Sequence, residues 1–199
     1  RGMIGQRYHF ARQHVTLPGE PARPGGASDF LAALSGRILP RTYAEAAWQY
    51  DPRDGETERF VLGARWQPEF AKVLNAGYRY TRDHVLSGGT AGIRQVDFSG
   101  QWPLGRGWYG VGRFNYSLKE KKVIETLGGL EYNGGCWVGR LVVQRYATAT
   151  GDANTALFVQ LELNDFSKIG SNPLELLARR VPGYGRINQS VSSPVFGYD

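Results

Sequence analysis

A strict two-residue alternation near the C-terminal end constrains the fold of this chain more than any other feature. One set of alternate positions is apolar and consists of Thr155, Leu157, Val159, Leu161 and Leu163. The intervening positions are mostly polar and consist of Asn154, Ala156, Phe158, Gln160, Glu162 and Asn164. Successive side chains of an extended strand point to opposite faces, so this segment has an apolar face opposite a mostly polar one. A barrel wall between lipid and water requires that arrangement.

The same period of two recurs along the chain and predicts about ten strands of barrel length. Their approximate bounds are 3–11, 29–38, 43–50, 57–66, 72–82, 94–102, 108–119, 123–132, 136–146 and 154–164. The tight linkers lie around Pro40 and Pro68 and at 104–107 and 133–135, and the long ones, rich in Gly and Pro, lie at 12–28 and 84–93. Tight turns on one side and long loops on the other are typical of an outer-membrane barrel, whose tight turns face the periplasm.

Composition excludes a membrane-spanning helix. The chain has 199 residues, enough for one domain, and 41% of them are hydrophobic. No uninterrupted apolar run is long enough to cross a bilayer as a helix, so any membrane role must use strands. The 27 glycines, 11 tyrosines, 9 phenylalanines and 5 tryptophans suit tight turns and aromatic belts at a membrane interface. A soluble β-sandwich with one wet face has a similar composition and remains the alternative fold.

Charged side chains of the predicted strands mostly segregate to one face. The candidates for a lumen-facing position are Arg65, Arg79, Asp97, Arg113 and Glu131. A charge that faces lipid at mid-bilayer costs about 2 to 4 kcal/mol, so we expect this face to line a hydrated lumen. The strand at 136–146 is less regular, because Arg140 shares its face with Val138 and Val142.

The net charge is +6, from 24 Lys and Arg against 18 Asp and Glu. This charge suits nucleic acid, an anionic membrane surface or phosphate-bearing ligands. Nucleic acid is the weakest of the three, and we expect no nucleic-acid partner, because the basic residues are scattered and form no reading motif.

Catalytic chemistry has little support in the sequence. His9, His14 and His84 lack metal-ligand spacing, and no serine lies in a nucleophile-elbow pattern, so we predict no metal, no cofactor and no catalytic residue. A self-contained small outer-membrane barrel of the porin, protease or lipase type is the alternative function. Such an enzyme needs acid and base groups at its rim, where Asp83 and His84 are the only close pair. A soluble β binding module is a third class.

A short helix is predicted after the last strand. Asn172 and Pro173 are typical of a helix start, and Pro182 with Gly183 is a stop signal. Parity of turns puts this helix on the side of the 133–135 turn, which is periplasmic in a barrel. The expected parts of the chain are barrel strands over 1–166, a periplasmic segment with the helix over 167–186 and an irregular tail over 187–199.

Two runs near the C-terminal end carry a resemblance to a known family. GGLEYNGGCWVGRLVVQRY and TALFVQLELNDFSKIGSNPLELLARRVPGY closely resemble the end of the LptD family of lipopolysaccharide-assembly outer-membrane proteins, and IGQRYHF resembles one of its earlier strands. The resemblance covers nearly the whole chain but is specific mainly over 127–184. It implies an all-β fold, an antiparallel portion of a larger transmembrane β-barrel with a short C-terminal periplasmic helix. Since the chain opens at Arg1 inside a predicted strand and shows no signal peptide, we expect a fragment or processed piece.

The resemblance also implies partners. In that family lipopolysaccharide reaches the outer leaflet of the Gram-negative outer membrane through a lateral gate between the first and last barrel strands. The strand at 154–164 resembles the closing strand, so its polar-face residues are implied as gate residues. An LptE-type lipoprotein plugs the lumen, and a periplasmic transport bridge joins through an N-terminal domain outside this sequence. The lumen-facing candidates then contact the plug or the substrate, or form ion pairs with one another in a solvated wall.

Cys136 is the single cysteine of the chain. A lone cysteine in an unknown domain is commonly a small buried thiol. It falls where the family has barrel cysteines that join the periplasmic domain by a disulfide, so the resemblance implies a bridge to a cysteine outside this chain. Many members have two adjacent cysteines here, whereas this chain has Cys136 followed by Trp137, which leaves one such bridge.

Overall fold

The computed structural model describes residues 1–10, 26–83, 92–147, 153–163 and 166–188. The strands are β1 (Gly2–His9), β2 (Gly26–Leu39), β3 (Thr42–Asp51), β4 (Glu56–Glu69), β5 (Lys72–Thr81), β6 (Ile93–Gly105), β7 (Trp108–Ser117), β8 (Lys122–Asn133), β9 (Trp137–Ala147), β10 (Ala153–Leu163) and β11 (Ser167–Gly170), and the helix is α1 (Pro173–Arg180). The strands form one 11-stranded sheet in chain order. The predicted all-β fold is confirmed.

The predicted strands agree with those observed to within a few residues at each end, apart from one strand that was missed. The missed strand is β11, which follows β10 and pairs antiparallel with it over four residues. The predicted turn around Pro68 is also misplaced, because β4 continues through Pro68 and the chain turns at Phe70 and Ala71. Proline is tolerated near a strand end, where its missing N–H removes no essential ladder bond.

Tight turns connect most neighbouring strands, and several need a positive φ. Arg41, Ala71 and Arg106 have φ values of 62°, 53° and 51°. The left-handed region is uncommon for residues with a side chain, so these turns are set by strand pairing on both sides. None of the described helices is long and apolar enough to cross a membrane.

The first of two compact units comprises Arg1–Trp66, Asn75–Phe98 and Asn115–Ile124. One face of its strands is polar, with Gln49 Nε2 donating to Asp29 Oδ2 at 2.6 Å. The other face carries exposed apolar side chains, such as Leu62 and Phe98, which is 52% exposed. The alternation predicted from the sequence therefore appears in this unit as two chemically distinct faces.

The second unit comprises Gln67–Leu74, Ser99–Phe114 and Glu125–Asp199, and it contains the main buried core. The core residues are Val73, Val111, Leu127, Val142, Leu177 and Val181. Leu174 and Leu177 lie on the buried side of α1, so the helix packs its apolar side against the strands. The helix begins at Pro173 as predicted, but the Asn172 side chain makes no capping hydrogen bond.

The burial of β9 and β10 is the reverse of that in a soluble sheet. Leu141, Val143 and Leu157 are exposed, with 63% exposure at Leu157, whereas Arg140 and Glu162 on the opposite face are buried. A soluble β-sandwich buries its apolar face and exposes its charges. The exposed apolar face disfavours the sandwich and suits contact with lipid.

Candidate functional site

The candidate site is the outer edge of β10, together with the buried polar cluster beside it. β9 pairs with β10 along its whole length, from Ala153 opposite Ala147 to Leu163 opposite Trp137. On the other side β11 pairs only with Gln160 to Leu163. Among the described residues no strand covers the outer edge of residues 153–158. β10 therefore has one half paired on both sides and one half paired on one side.

Ser171 marks the point where cover of the β10 edge ends. Its backbone N–H donates to the Val159 carbonyl oxygen at 2.9 Å, and its hydroxyl accepts from the Val159 N–H at 2.9 Å. The backbone polar groups of Val159 thus point away from β9. Because this direction alternates along an antiparallel strand, those of Leu157 and Thr155 point to the open edge as well. An open edge of this kind is a template for pairing with another strand.

The predicted gate residues divide between the two halves of β10. Asn154, Ala156 and Phe158 lie on the half with the open edge, and Gln160 and Glu162 lie on the half covered by β11. Asn164 lies outside the described residues. The expectation that this strand is the last needs correction, because the chain turns back after it and adds β11.

Arg140 is the centre of the buried cluster. Its Nε lies 3.1 Å from Glu131 Oε1 on β8, and its Nη1 lies 2.6 Å from Glu162 Oε2 on β10. Nη1 also donates to Gln160 Oε1 at 3.0 Å. Arg140 is 2% exposed and Glu131 is fully buried. The two carboxylates and the amide hold the guanidinium in one place, which satisfies charges that are costly to bury alone.

The segment after α1 closes the cluster. The Tyr184 hydroxyl donates to Glu131 Oε1 at 2.5 Å, and Gly185 exchanges two hydrogen bonds of 2.9 and 3.0 Å with the Gln101 side chain on β6. Arg140 Nη2 donates to Asn188 Oδ1 at 3.1 Å. Asn133 Nδ2 donates to the Ile187 carbonyl oxygen at 2.8 Å. The predicted irregular tail therefore begins with residues that pack on the strands.

Burial of the Tyr184 phenol, together with the nearby Glu131 carboxylate, raises the pKa of Tyr184 well above its usual value. The phenol therefore stays protonated and remains a donor at neutral pH. Lys168 of β11 lies 3.4 Å from Glu162, which extends the cluster to the last strand of the sheet. The cluster thus joins β6, β8, β9, β10 and β11 to the C-terminal segment.

A second ionic group fixes α1. Arg180 Nε lies 3.2 Å from Glu125 Oε1, and Arg113 Nη1 lies 3.8 Å from Glu125 Oε2. Gln144 Nε2 donates to the same carboxylate at 2.5 Å. The helix is therefore held by charge at its C-terminal end and by apolar packing at Leu177.

The lumen-facing candidates fall in both compact units, with Arg113 and Glu131 in the second and the other three in the first. Glu131 belongs to the Arg140 cluster and Arg113 to the Glu125 group. In the other unit, Arg65 Nε donates to Asn75 Oδ1 at 3.2 Å, Asp97 is half-buried and Arg79 is exposed. Glu131 lies on its predicted face, but the C-terminal segment covers it, which the expectation of a hydrated wall did not include. Within the described ranges no group of His, Cys, Asp and Glu has the arrangement of a metal site.

The role of Arg140 was not predicted from the sequence, in which this residue is an irregularity on its strand face. The signal lay in strand register, since Arg140 is opposite Glu131 on one side and Gln160 on the other. Opposed charges on neighbouring strands are a stabilising pair. Gln101 and Tyr184 had no signal of that kind, because their partners lie far away in sequence.

Cys136 lies in the tight turn between β8 and β9, and it is exposed. Gly135 precedes it with a φ of 86°, and the Gly135 N–H donates to Asn133 Oδ1 at 2.9 Å. The thiol is therefore not the small buried group that is common for a lone cysteine. An exposed turn gives a thiol access to another segment.

Comparison with known proteins agrees with these features. A family model described as LPS transport system D, LptD, matches residues 1–108. The chain is 54% identical over 197 residues to the LPS-assembly protein LptD of Aromatoleum aromaticum, an alignment that covers 99% of this chain and 24% of that protein. It is 51% identical over 199 residues to that of an Azoarcus species, with 100% and 24% covered. For Bordetella pertussis the identity is 41% over 203 residues, with 95% and 25% covered. The chain thus spans about a quarter of the length of these relatives.

Proposed function

Because the chain belongs to the LptD family, we propose that it forms the C-terminal wall of an outer-membrane β-barrel that inserts lipopolysaccharide into the outer leaflet. The observation that carries this proposal is the open edge of β10 over residues 153–158. In the proposal this edge is one side of a lateral gate, and the first strand of the barrel supplies the other side.

The two halves of β10 have different tasks in this gate. Residues 160–163 are held by β11, and Glu162 is bound to Arg140. Residues 153–158 are tied on one side only, so separating them from a partner strand breaks no bond with the described strands. Each unpaired backbone group facing hydrocarbon costs several kcal/mol, so a short seam is easier to open than a full-length one. The gate therefore opens over residues 153–158.

The exposed apolar face supports the proposed membrane placement. Side chains such as Leu141, Val143 and Leu157 are exposed on that face of β9 and β10 and suit lipid contact. On β4, β5 and β6, Arg65, Arg79 and Asp97 lie on the polar face of their own strands, and in the proposal these side chains line the lumen together with an LptE-type plug lipoprotein. A periplasmic transport bridge delivers the substrate, and the transfer needs no catalytic step in this chain.

In the proposed membrane placement, α1 and the turns that follow β2, β4, β6 and β8 lie at the periplasmic end. Cys136 is exposed in one of these turns. A disulfide to a cysteine outside this sequence persists in the oxidising periplasm. The bridge holds the periplasmic part of the protein over the barrel mouth.

Site-specific photo-crosslinking in living cells tests the gate in the full-length protein. A benzophenone amino acid replaces Leu157 at the open edge in one strain. In a matched strain it replaces Val143, which lies opposite Leu157 in register and on the same exposed face. Newly made lipopolysaccharide is pulse-labelled, and its capture at both positions is followed over time.

The gate predicts that labelled lipopolysaccharide is captured at Leu157 before it is captured at Val143, because the substrate passes the edge before it mixes into the leaflet. Val143 reports contact with the bulk leaflet. Capture at both positions at the same time and to the same extent would mean ordinary lipid contact, and the gate at β10 would be wrong.

A further inference from the structure

A cavity of about 540 Å³ lies in the first unit, where β5 ends, β6 begins and β7 ends. Its lining residues are Tyr78, Tyr80, Thr81, Arg82, Asp83, Gly92, Arg94, Leu118 and Lys119. The volume is in the range of small-molecule sites. Three cationic side chains and two phenol rings in one cavity suggest an anionic ligand with an apolar or sugar part.

The cavity lies on the apolar face of the strands. Along β6 the side chains on that face are Phe98, Val96 and Arg94, because alternate residues share a face. Phe98 is 52% exposed, and Arg94 lies about 13 Å further towards the strand end at the usual rise per residue. The face thus changes from exposed hydrocarbon to charge at the level of the cavity.

The same change occurs on the neighbouring strands. Tyr78 contacts the Phe60 ring at a centroid distance of 6.3 Å, and Tyr80 lies one step nearer the strand end. Leu118 directly follows β7 and is exposed, and its N–H donates to the Arg94 carbonyl oxygen at 2.8 Å. Tyrosine rings followed by basic residues mark the interface between hydrocarbon and headgroups in membrane barrels.

Arg94 is the cation best placed for a ligand. Its guanidinium lies over the Tyr80 ring, 5.2 Å from the centroid. Among the described residues, no carboxylate lies within ion-pair distance of Arg94. Stacking on a ring orients the guanidinium while its donors remain available, and that fork geometry matches a phosphate.

Arg82 and Lys119 have different surroundings. Arg82 Nη1 lies 2.8 Å from Glu58 and 3.2 Å from Asp54, and its Nε lies 2.8 Å from Glu56. These three carboxylates therefore hold the Arg82 side chain in place at the start of β4. Lys119 pairs with Asp83, and both side chains are partly exposed. Exposed pairs of this kind contribute about 0 to 1 kcal/mol, so Lys119 can turn to an incoming phosphate.

We propose that this cavity binds a phosphate group of an anionic lipid headgroup in the surrounding leaflet, with Arg94 and Lys119 as its ligands and Tyr80 beneath the guanidinium. The lipid chains lie along the exposed face below Leu118 and Phe98. The inference rests on the proposed placement of that face in a membrane, but it does not require lipopolysaccharide to pass through the β10 edge.

Native mass spectrometry tests the site on the full-length protein, purified from its own cells in detergent. The probes are bisphosphorylated lipid A, the same lipid without phosphates, and inorganic phosphate. The test variant is Arg94→Gln with Lys119→Gln. The matched control is Lys121→Gln with Lys122→Gln, which removes the same charge next to the cavity but from residues that do not line it.

We expect the wild type and the control to bind one more molecule of bisphosphorylated lipid A than the test variant binds. The affinity of the test variant for this lipid should be at least tenfold weaker than that of the wild type. The lipid without phosphates is expected to bind all three proteins alike. Equal occupancy in wild type and test variant, or an equal loss in the control, would overturn the proposal. Displacement of the bisphosphorylated lipid by inorganic phosphate at the same concentration would mean that the cavity binds free phosphate and not a lipid headgroup, which would also overturn the proposal.

These outcomes are independent of transport. The measurement is made in detergent, where no lipopolysaccharide is delivered, and all mutated residues lie outside β10. Simultaneous capture at Leu157 and Val143 would reject the gate and leave lipid binding at Arg94 intact. Loss of the lipid site would leave the order of capture unchanged.

Discussion

Arg140 on β9 and Glu131 on β8 lie directly opposite each other in the sheet, with Arg140 Nε 3.1 Å from Glu131 Oε1 and both side chains buried. Arg140 reaches Glu162 on its other side, so three adjacent strands share one charge cluster. The C-terminal segment covers it through Tyr184 and Asn188. The cluster therefore ties the end of the chain to the strand that carries the open edge.

Replacing Arg140 with Ala should strongly destabilise the protein, because Glu131 would remain buried without its ion pair and Glu162 would keep only Lys168 and Arg186, each 3.4 Å away. Breaking such a pair costs about 3 to 5 kcal/mol. The full-length protein is purified from its own cells, and samples are heated to a series of temperatures before electrophoresis. The measurement is the temperature at which the compact, fast-migrating form is lost. Arg145→Ala, at an exposed position of the same strand, is the control and should change that temperature little. Arg140→Met is compared with a triple variant that also carries Glu131→Gln and Glu162→Gln, and the triple variant should be the more stable of the two. Equal stability would argue against unpaired buried carboxylates as the cause of the destabilisation.

Gly129 and Gly128 form a matched pair on opposite faces of β8. A Cβ at Gly129 would lie 2.9 Å from Val111 Cγ1 and 2.9 Å from Val142 Cγ2, whereas a Cβ at Gly128 meets nothing within 4 Å. We expect Gly129→Ala to cost about 1 to 3 kcal/mol by overpacking the core beneath α1. Gly128→Ala should be close to neutral in the same thermal measurement. Equal effects of the two substitutions would contradict the close packing at Gly129.

Gly170→Ala should detach β11 from β10. Gly170 has a φ of 100°, and a Cβ there would clash with the Val159 carbonyl oxygen. Hydrogen–deuterium exchange of a peptide covering residues 160–163 should become at least tenfold faster, since β11 no longer protects that edge. Gly135→Ala is the control, because its φ of 86° imposes similar backbone strain with nothing within 4 Å. Unchanged protection in Gly170→Ala would mean that β11 does not need this close approach.

Tyr184 should contribute a stability term that disappears in alkali. Burial and Glu131 raise the pKa of Tyr184, so the folded state holds its proton more tightly than the unfolded state. The stabilisation is complete below the unfolded pKa of about 10 and is lost as the pH rises above it. At neutral pH Tyr184→Phe should cost about 1.5 to 3 kcal/mol, the range for a hydrogen bond to a charged group.

The pH dependence of that difference is measured as the denaturation midpoint of wild type and Tyr184→Phe between neutral pH and strong alkali. We expect the gap between the two proteins to stay constant below about pH 9 and to narrow above about pH 10. Tyr43→Phe, at an exposed position, should match the wild type throughout. A constant gap at all pH values would show that the phenol does not titrate with folding.

Cys136 should carry a disulfide in the protein isolated from outer membranes. Peptide mapping after alkylation without reduction should find the Cys136 peptide linked to a peptide outside these residues, because the chain has one cysteine. Reduction should release the same peptide as a free thiol. Recovery of an alkylated, unlinked Cys136 peptide from the unreduced sample would contradict the bridge.

Strand positions and their two faces were predictable because they depend on local properties. The pleat repeats every two residues, so Leu157 and Glu162 were assigned to opposite faces without knowledge of any distant residue. The helix start at Pro173 was predictable for the same reason, since proline favours the first helical turn. The residue types at these positions were sufficient to predict the two strand faces and the start of the helix.

The short strand β11 and the buried cluster were decided by tertiary structure. β11 has four residues, too few for a periodic signal. Gln101 and Gly185 are 84 residues apart in sequence, and their hydrogen bonds exist because the C-terminal segment folds back onto the strands. Arg140 is charged on a face that also carries Val138 and Val142, and its ion pairs with Glu131 and Glu162 on the neighbouring strands offset the cost of burying it beneath that segment. The sequence by itself determined which residues share a face, since alternation is local, whereas contacts between distant segments determined what covers that face and which part of the β10 edge stays open.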